Sequence, residues 1–87
     1  MKTFDQLYQQ LLEREKLRPA TSESARLLDA GVHQIGKKLV EEAAEAWMAA
    51  EYESDEQVAL EVSQLLYYAQ LLLVARSVPM TMVFERL

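Results

Sequence analysis

The sequence contains no cysteine, and only 2 glycines and 2 prolines occur among its 87 residues. The absence of cysteine excludes disulfide bonds and thiolate metal sites, and it is compatible with a reducing compartment. Because glycine and proline are so few, the chain has few natural breaks, and no segment shows the sustained apolar–polar alternation of a half-buried strand. These absences favour long helices over a sheet.

Positive charge is also scarce, since 9 Lys and Arg residues accompany 14 Asp and Glu residues and the net charge is -5. Such a chain is poorly suited to neutralising the phosphates of a nucleic acid, although a few lysines can still hold one small phosphorylated ligand. The apolar run Leu65 to Ala75 is interrupted by Gln70 and is shorter than the roughly 18 to 20 residues of a membrane span. The polar N-terminus lacks the apolar core of a signal peptide. We expect a cytoplasmic protein without a nucleic-acid or membrane partner.

The chain is short for its apolar content. Its 87 residues are enough for one domain, 1–87, but 51% of them are hydrophobic, which is more than a small helical monomer easily buries. Association into a symmetric homodimer is the simplest way to cover the remainder. Trp47 is accordingly expected in the core or in a subunit contact. The predicted fold class is all-α, a bundle of four to five helices completed by dimerisation.

Five helical segments follow from hydrophobic periodicity and capping residues. The first is predicted to begin at Thr3, which has capping-box spacing to Gln6, and to end near Leu17. Pro19 and the hydroxyl residues after it indicate a loop. The remaining helices are predicted at Ala25–Ala30, at about Val32–Glu53, at about Ser54–Ser77 and from Pro79 onward. The fourth is apolar on nearly all sides after Val62, which predicts a bundle core or a subunit interface.

Carboxylates are concentrated on the third predicted helix. Glu41, Glu42 and Glu45 lie within about one helical turn, so that Glu42 and Glu45 project from one surface. Like charges at this spacing repel each other, and a cation bound between them would convert the repulsion into a set of ligands. On spacing alone, a solvated acidic helix face is an equally good explanation.

Glu61, on the following helix, favours a metal site over a solvated face. It lies between Leu60 and Val62, where an unpaired charge would be costly to bury. Gln64 repeats the three-residue step, and antiparallel packing of the two helices would place both pairs at one interface. Because Mg²⁺ prefers oxygen ligands, three carboxylates and an amide oxygen predict a magnesium site.

The residues of this predicted site resemble a known family. The segment from Gly31 to Glu45, followed by Glu61 to Tyr67, is similar to the phosphoribosyl-ATP pyrophosphatases of histidine biosynthesis, which are MazG-like all-helical nucleotide pyrophosphohydrolases. The resemblance extends from Phe4 to Leu87. Its core is an EExxE pattern on one helix and an ExxD pattern on the next. The matching residues are Glu41, Glu42, Glu45 and Glu61.

The chain differs from the family pattern at two single positions and in one loop. Gln64 stands where an aspartate is expected, and Tyr68 stands where many relatives carry histidine. In the loop before the second helix, the chain has Ser22-Glu23-Ser24 where relatives often have Ser-Tyr-Thr.

The resemblance implies hydrolysis of phosphoribosyl-ATP to phosphoribosyl-AMP and pyrophosphate, the second step of histidine biosynthesis. It implies that Glu42, Glu45 and Glu61 are ligands of Mg²⁺ and that Gln64 is a weaker, neutral ligand. Glu41 would be an outer ligand or the base that orients water, so that the implied catalytic set is Glu41, Glu42 and Glu45.

Lys38 and Arg18 are the candidate phosphate contacts. Lys38 lies one turn before the acidic residues, whereas Lys37 is about 100° further round the helix and cannot easily share the task.

Two other functions stay open. Substrate choice lies in loops, so the chain could hydrolyse other nucleoside triphosphates as a house-cleaning enzyme of the same superfamily. It could also be a non-catalytic helical dimer with solvated carboxylates.

Overall fold

A computed structural model describes the whole chain, residues 1–87, and contains five α-helices and no strand. The helices are α1 (Phe4–Leu17), α2 (Glu23–Ala30), α3 (Val32–Tyr52), α4 (Asp55–Ala75) and α5 (Met80–Phe84). The prediction of an all-α fold is confirmed. The ends of the first four helices lie within two residues of the predicted ones.

Capping side chains set the beginnings of three helices. The Thr3 hydroxyl accepts a hydrogen bond from the backbone N–H of Gln6 at 3.1 Å, and the Gln6 side chain accepts one from the backbone N–H of Thr3 at 2.8 Å. The predicted capping box therefore forms. Ser22 and Ser54 cap α2 and α4 through their own hydroxyls. Because Ser22 is the cap, α2 begins two residues earlier than predicted.

The two long helices, α3 and α4, form a hairpin through the two-residue link Glu53–Ser54 and share the largest interface in the molecule. The smaller helices α1 and α2 pack at one end of this hairpin, where α3 begins and α4 ends. The hydrophobic core lies there. Its largest fully buried side chains are Leu11, Ile35 and Leu71, and the polar Gln70 is also fully buried. The opposite end of the hairpin has almost no core of its own.

Burial of α4 is confined to its C-terminal half. Gln70, Leu71 and Val74 are buried, whereas Leu60 in the N-terminal half and Leu66 just past the middle of the helix are exposed. The prediction of a bundle core after Val62 is confirmed for Leu71 and Val74, and a subunit interface at the exposed apolar residues stays a prediction. Trp47 of α3, which is 68% exposed, is likewise outside the core of a single chain.

One helix, α4, is long and apolar enough to cross a membrane by length and composition alone. An 18-residue window within it has a mean hydropathy of 1.5. The core helices of soluble proteins meet the same criteria, and α4 supplies the core residues Leu71 and Val74. A single helix of this kind is weak evidence for a membrane span.

Candidate metal centre

Glu42 and Glu45 of α3 meet Glu61 of α4 across the hairpin, and we call these three residues the carboxylate cluster. One carboxylate oxygen from each residue lies within 4.8 Å of the corresponding oxygen of the other two. The three-residue step places Glu42 and Glu45 on the same side of α3, and the packing of α4 against α3 adds Glu61. Three anionic oxygens thus converge on a volume of the size that one ion occupies.

Two oxygen atoms of the carboxylate cluster are buried without a hydrogen-bond partner, namely Oε2 of Glu42 and Oε2 of Glu61. Glu42 as a whole is only 9% exposed. A charged oxygen removed from water without a donor is costly, and a cation would supply the missing partner. Because all the donors are hard carboxylate oxygens, the cluster suits a hard divalent ion.

Crowding of the carboxylates changes their affinity for protons. Glu61 is close enough to share a hydrogen bond with Glu45 and thereby raises the pKa of the Glu45 carboxyl, with a further increase from desolvation. The cluster therefore attracts positive charge. Protons and metal ions compete for it.

A comparison with protein families identifies the class of the protein. The family model of phosphoribosyl-ATP pyrophosphohydrolase matches residues 4–87, which include the whole hairpin. The chain belongs to this family. It is therefore a hydrolase that acts on a phosphoanhydride, and its family comprises metal-dependent enzymes of histidine biosynthesis. The interpretation as a non-catalytic dimer module is wrong.

Glu41 and Gln64 lie beside the carboxylate cluster. Glu41 is exposed and outside the group of mutually close oxygens, and its Oε2 lies 3.6 Å from Nζ of Lys38. Gln64 follows Glu61 by almost one turn of α4, and its side chain is exposed. Both residues thus neighbour the carboxylate cluster along their helices, and their roles stay predictions.

The two predicted phosphate contacts, Lys38 and Arg18, have different surroundings. Lys38 is exposed and forms an ion pair with Glu41 alone. Arg18 caps the end of α1, donates a hydrogen bond to the Glu15 backbone oxygen at 2.8 Å, and forms ion pairs with the Glu15 and Asp29 side chains. The guanidinium of Arg18 joins α1 to α2, so a phosphate would have to displace these carboxylates to bind it.

A contact between α2 and α4 has no signature in the sequence. The hydroxyls of Ser24 and Tyr67 are 2.6 Å apart, although 43 residues separate them along the chain. The Tyr67 ring packs edge to face on Tyr68, with 4.9 Å between ring centroids. Desolvation and then the neighbouring Tyr67 raise the pKa of Tyr68, and the charge of Glu42 adds to the increase. Tyr68 therefore lies near the carboxylate cluster.

A groove lined without any hydrophobic residue lies between α1 and the start of α2, and we call it the polar groove. Its volume is about 540 Å³. Its lining includes Arg14, Thr21, Ser22, Glu23 and Ser24. Glu23 forms an ion pair with Arg26, whereas Arg14 has no ion-pair partner. The groove thus offers an uncommitted guanidinium together with several hydroxyl groups.

Proposed function

We propose that the chain hydrolyses phosphoribosyl-ATP to phosphoribosyl-AMP and pyrophosphate with magnesium held by Glu42, Glu45 and Glu61. One observation carries the proposal, namely three converging carboxylates of which two have a buried oxygen without a partner. Magnesium is favoured over softer ions because every donor is an oxygen and because the phosphates of the substrate can complete its coordination. Gln64 is assigned as an additional neutral ligand.

When bound, magnesium would neutralise phosphate charge and acidify a water molecule. We assign Glu41 the role of base, since it is exposed and outside the carboxylate cluster. Its carboxylate takes a proton from water while the water oxygen bonds to phosphorus, and the bond between the α- and β-phosphates breaks to release pyrophosphate. We assign Lys38, whose ammonium lies beside Glu41, the role of contacting a phosphate oxygen.

The substrate assignment is tested by incubating the protein with phosphoribosyl-ATP and magnesium, with deoxynucleoside triphosphates as comparison substrates. We expect pyrophosphate from phosphoribosyl-ATP, and none when EDTA replaces magnesium. Pyrophosphate from the deoxynucleoside triphosphates alone would overturn the specific assignment in favour of a house-cleaning hydrolase.

The metal assignment is tested with Glu42→Gln, which keeps the side-chain shape and removes the charge. We expect turnover to fall by roughly a hundredfold or more, because removing even a residue that only supports a ligand costs about 10- to 100-fold. The increase in melting temperature that magnesium gives the wild-type protein should also disappear. Glu13→Gln, at an exposed position of α1, is the matched control and should behave as the wild type. Full magnesium-dependent activity of Glu42→Gln would remove this residue from the ligand set.

We also propose that the enzyme is a cytoplasmic homodimer with no nucleic-acid or membrane partner. Only 12 of 87 residues are buried in a single chain. The exposed apolar residues include Val40 and Trp47 on α3 and Leu60 and Leu66 on α4. A second copy would cover these apolar residues, which a single chain leaves exposed to solvent.

A further inference from the structure

We propose that Tyr67 is a positioning residue for the substrate. Its hydrogen bond to Ser24 holds the polar groove at a fixed distance from the carboxylate cluster, so that one nucleotide can contact both surfaces. The inference deepens the proposed function and rests on it. In this inference, the polar groove binds the part of the substrate that carries a phosphate and lies away from the cleaved anhydride.

The Ser24–Tyr67 hydrogen bond is the polar link between α2 and α4. The two hydroxyl oxygens are 2.6 Å apart in a partly buried position, and no other hydrogen bond joins these helices. The packing between α2 and α4 is slight compared with that between α3 and α4. The buried Leu27 and Leu28 anchor the rest of α2 in the core, so loss of this hydrogen bond would free mainly the first turn of α2, which lines the polar groove.

The position of Tyr67 on α4 connects the bond to the metal centre. Tyr67 follows Glu61 by six residues, which is about 9 Å along the helix axis. Tyr68 follows Glu61 by seven residues, lies on the same face of α4, and packs against the Tyr67 ring at 4.9 Å. A rigid helix thus joins the hydrogen-bonded hydroxyl to a metal-binding carboxylate.

The chemistry of the polar groove matches a phosphorylated sugar. Arg14 offers a guanidinium that no carboxylate occupies, and guanidinium groups bind phosphate oxygens through paired N–H donors. The Thr21 hydroxyl lines the same groove and can bond to a sugar or phosphate oxygen, whereas the Ser24 hydroxyl, which also lines the groove, is bonded to Tyr67. Ser24 therefore belongs both to the lining of the polar groove and to the hydrogen bond that joins α2 to α4.

A double-mutant cycle on Ser24→Ala and Tyr67→Phe tests the inference. Each single variant should raise the KM for phosphoribosyl-ATP by about three- to tenfold, the value of one partly buried hydrogen bond. The kcat and the magnesium concentration for half-maximal rate should stay near the wild-type values. The double variant should be no worse than either single one, because both substitutions remove the same bond. Ser24→Thr retains a hydroxyl and should recover the low KM.

Tyr8→Phe is the matched control for a purely structural effect. It removes a tyrosine hydroxyl whose bond, to the backbone oxygen of Val78 at 3.3 Å, lies in the core and away from the groove. Tyr8→Phe and Tyr67→Phe should both lower the melting temperature slightly, but only Tyr67→Phe should raise the KM. An unchanged KM in Ser24→Ala and Tyr67→Phe, or an equal rise in Tyr8→Phe, would overturn the inference.

Binding measurements separate this inference from the proposed function. Phosphoribosyl-AMP contains no anhydride to hydrolyse, so its dissociation constant reports contact with the protein without turnover. It should rise in Ser24→Ala and Tyr67→Phe by the same factor as the KM. A wild-type protein that neither hydrolyses phosphoribosyl-ATP nor binds phosphoribosyl-AMP would overturn the proposed function as well. If the wild type hydrolyses phosphoribosyl-ATP and the two variants keep its KM and its dissociation constant, only the positioning role of Tyr67 is overturned.

Discussion

At the residue scale, Glu45 makes the stability of the metal-free protein depend on pH. Glu61 raises the pKa of Glu45 in the folded state above its ordinary value of 4.5. Between 4.5 and the raised pKa, the folded state binds more protons than the unfolded state, so the free energy of unfolding decreases as pH increases through this window. Urea unfolding in EDTA should show this decrease in the wild type and a weaker one in Glu45→Gln. Identical pH profiles for the two proteins would contradict the prediction.

Also at the residue scale, Lys38 and Lys37 are expected to differ although they are adjacent. Lys38 lies beside Glu41, with 3.6 Å between Nζ and Oε2, whereas Lys37 is exposed without an ion pair. Lys38→Ala should raise the KM for phosphoribosyl-ATP by about tenfold or more, the typical effect of losing a charge-assisted hydrogen bond to phosphate. Lys37→Ala should leave the KM unchanged. Steady-state kinetics at a fixed magnesium concentration give the KM of both variants. An equal change in KM for the two variants would remove Lys38 from the phosphate contacts.

The carboxylate cluster was predictable from sequence because each of its parts has a local signature. The Glu42–Glu45 step follows from helix geometry, and the apolar neighbours of Glu61 indicate that its charge needs a partner. The Ser24–Tyr67 contact was not predictable, because it joins residues 43 positions apart and neither has an unusual neighbour. Long-range contacts between side chains depend on how the helices pack, and helix packing is not encoded in local spacing.

At the element scale, the two glycines should respond oppositely to the same substitution. Gly31 joins α2 to α3 with a φ of 99°, and a residue with a side chain is strained in this conformation. Gly31→Ala should therefore destabilise the fold by about 1–3 kcal/mol. Gly36 lies within α3, and a Cβ atom there would meet nothing within 4 Å. Gly36→Ala should therefore stabilise by up to about 1 kcal/mol. Urea denaturation measures the change in the free energy of unfolding for both variants. Destabilisation of similar size at both positions would contradict the prediction.

The ends of the helices followed from sequence more closely than their burial did. Thr3, Ser22 and Ser54 cap their helices through bonds to residues only three positions away, so the sequence contains both partners. Burial of α4 depends instead on where α1 and α2 end, and they cover only the half that contains Leu71 and Val74. The apolar pattern of α4 is the same whether another helix of the chain or a second subunit covers it.

At the scale of the whole molecule, the hairpin has two different ends. The end that includes Ile35 and Leu71 is covered by α1 and α2 and contains the hydrophobic core. The other end presents Trp47 and Met48 of α3 to solvent. The carboxylate cluster lies along the hairpin between them, so covering the open end would also shield the cluster from water and strengthen its electrostatic interactions.

Trp47 provides a direct test of the proposed dimer because it is the only tryptophan in the chain. It is 68% exposed in one chain, and Val40, seven residues earlier on the same face of α3, is 69% exposed. If a second copy covers this face, Trp47 fluorescence should shift to the red on dilution, at the concentration where sedimentation shows the dimer dissociating.

Val40→Glu should weaken this association by at least about tenfold, because the interface would bury an unpaired charge. Leu17→Glu changes a residue of similar exposure, 64%, at the end of α1, and should leave the association unchanged. A wild-type protein that sediments as a monomer at every concentration would contradict dimerisation. A dimer that Val40→Glu does not weaken would show that the subunits pair through a different surface.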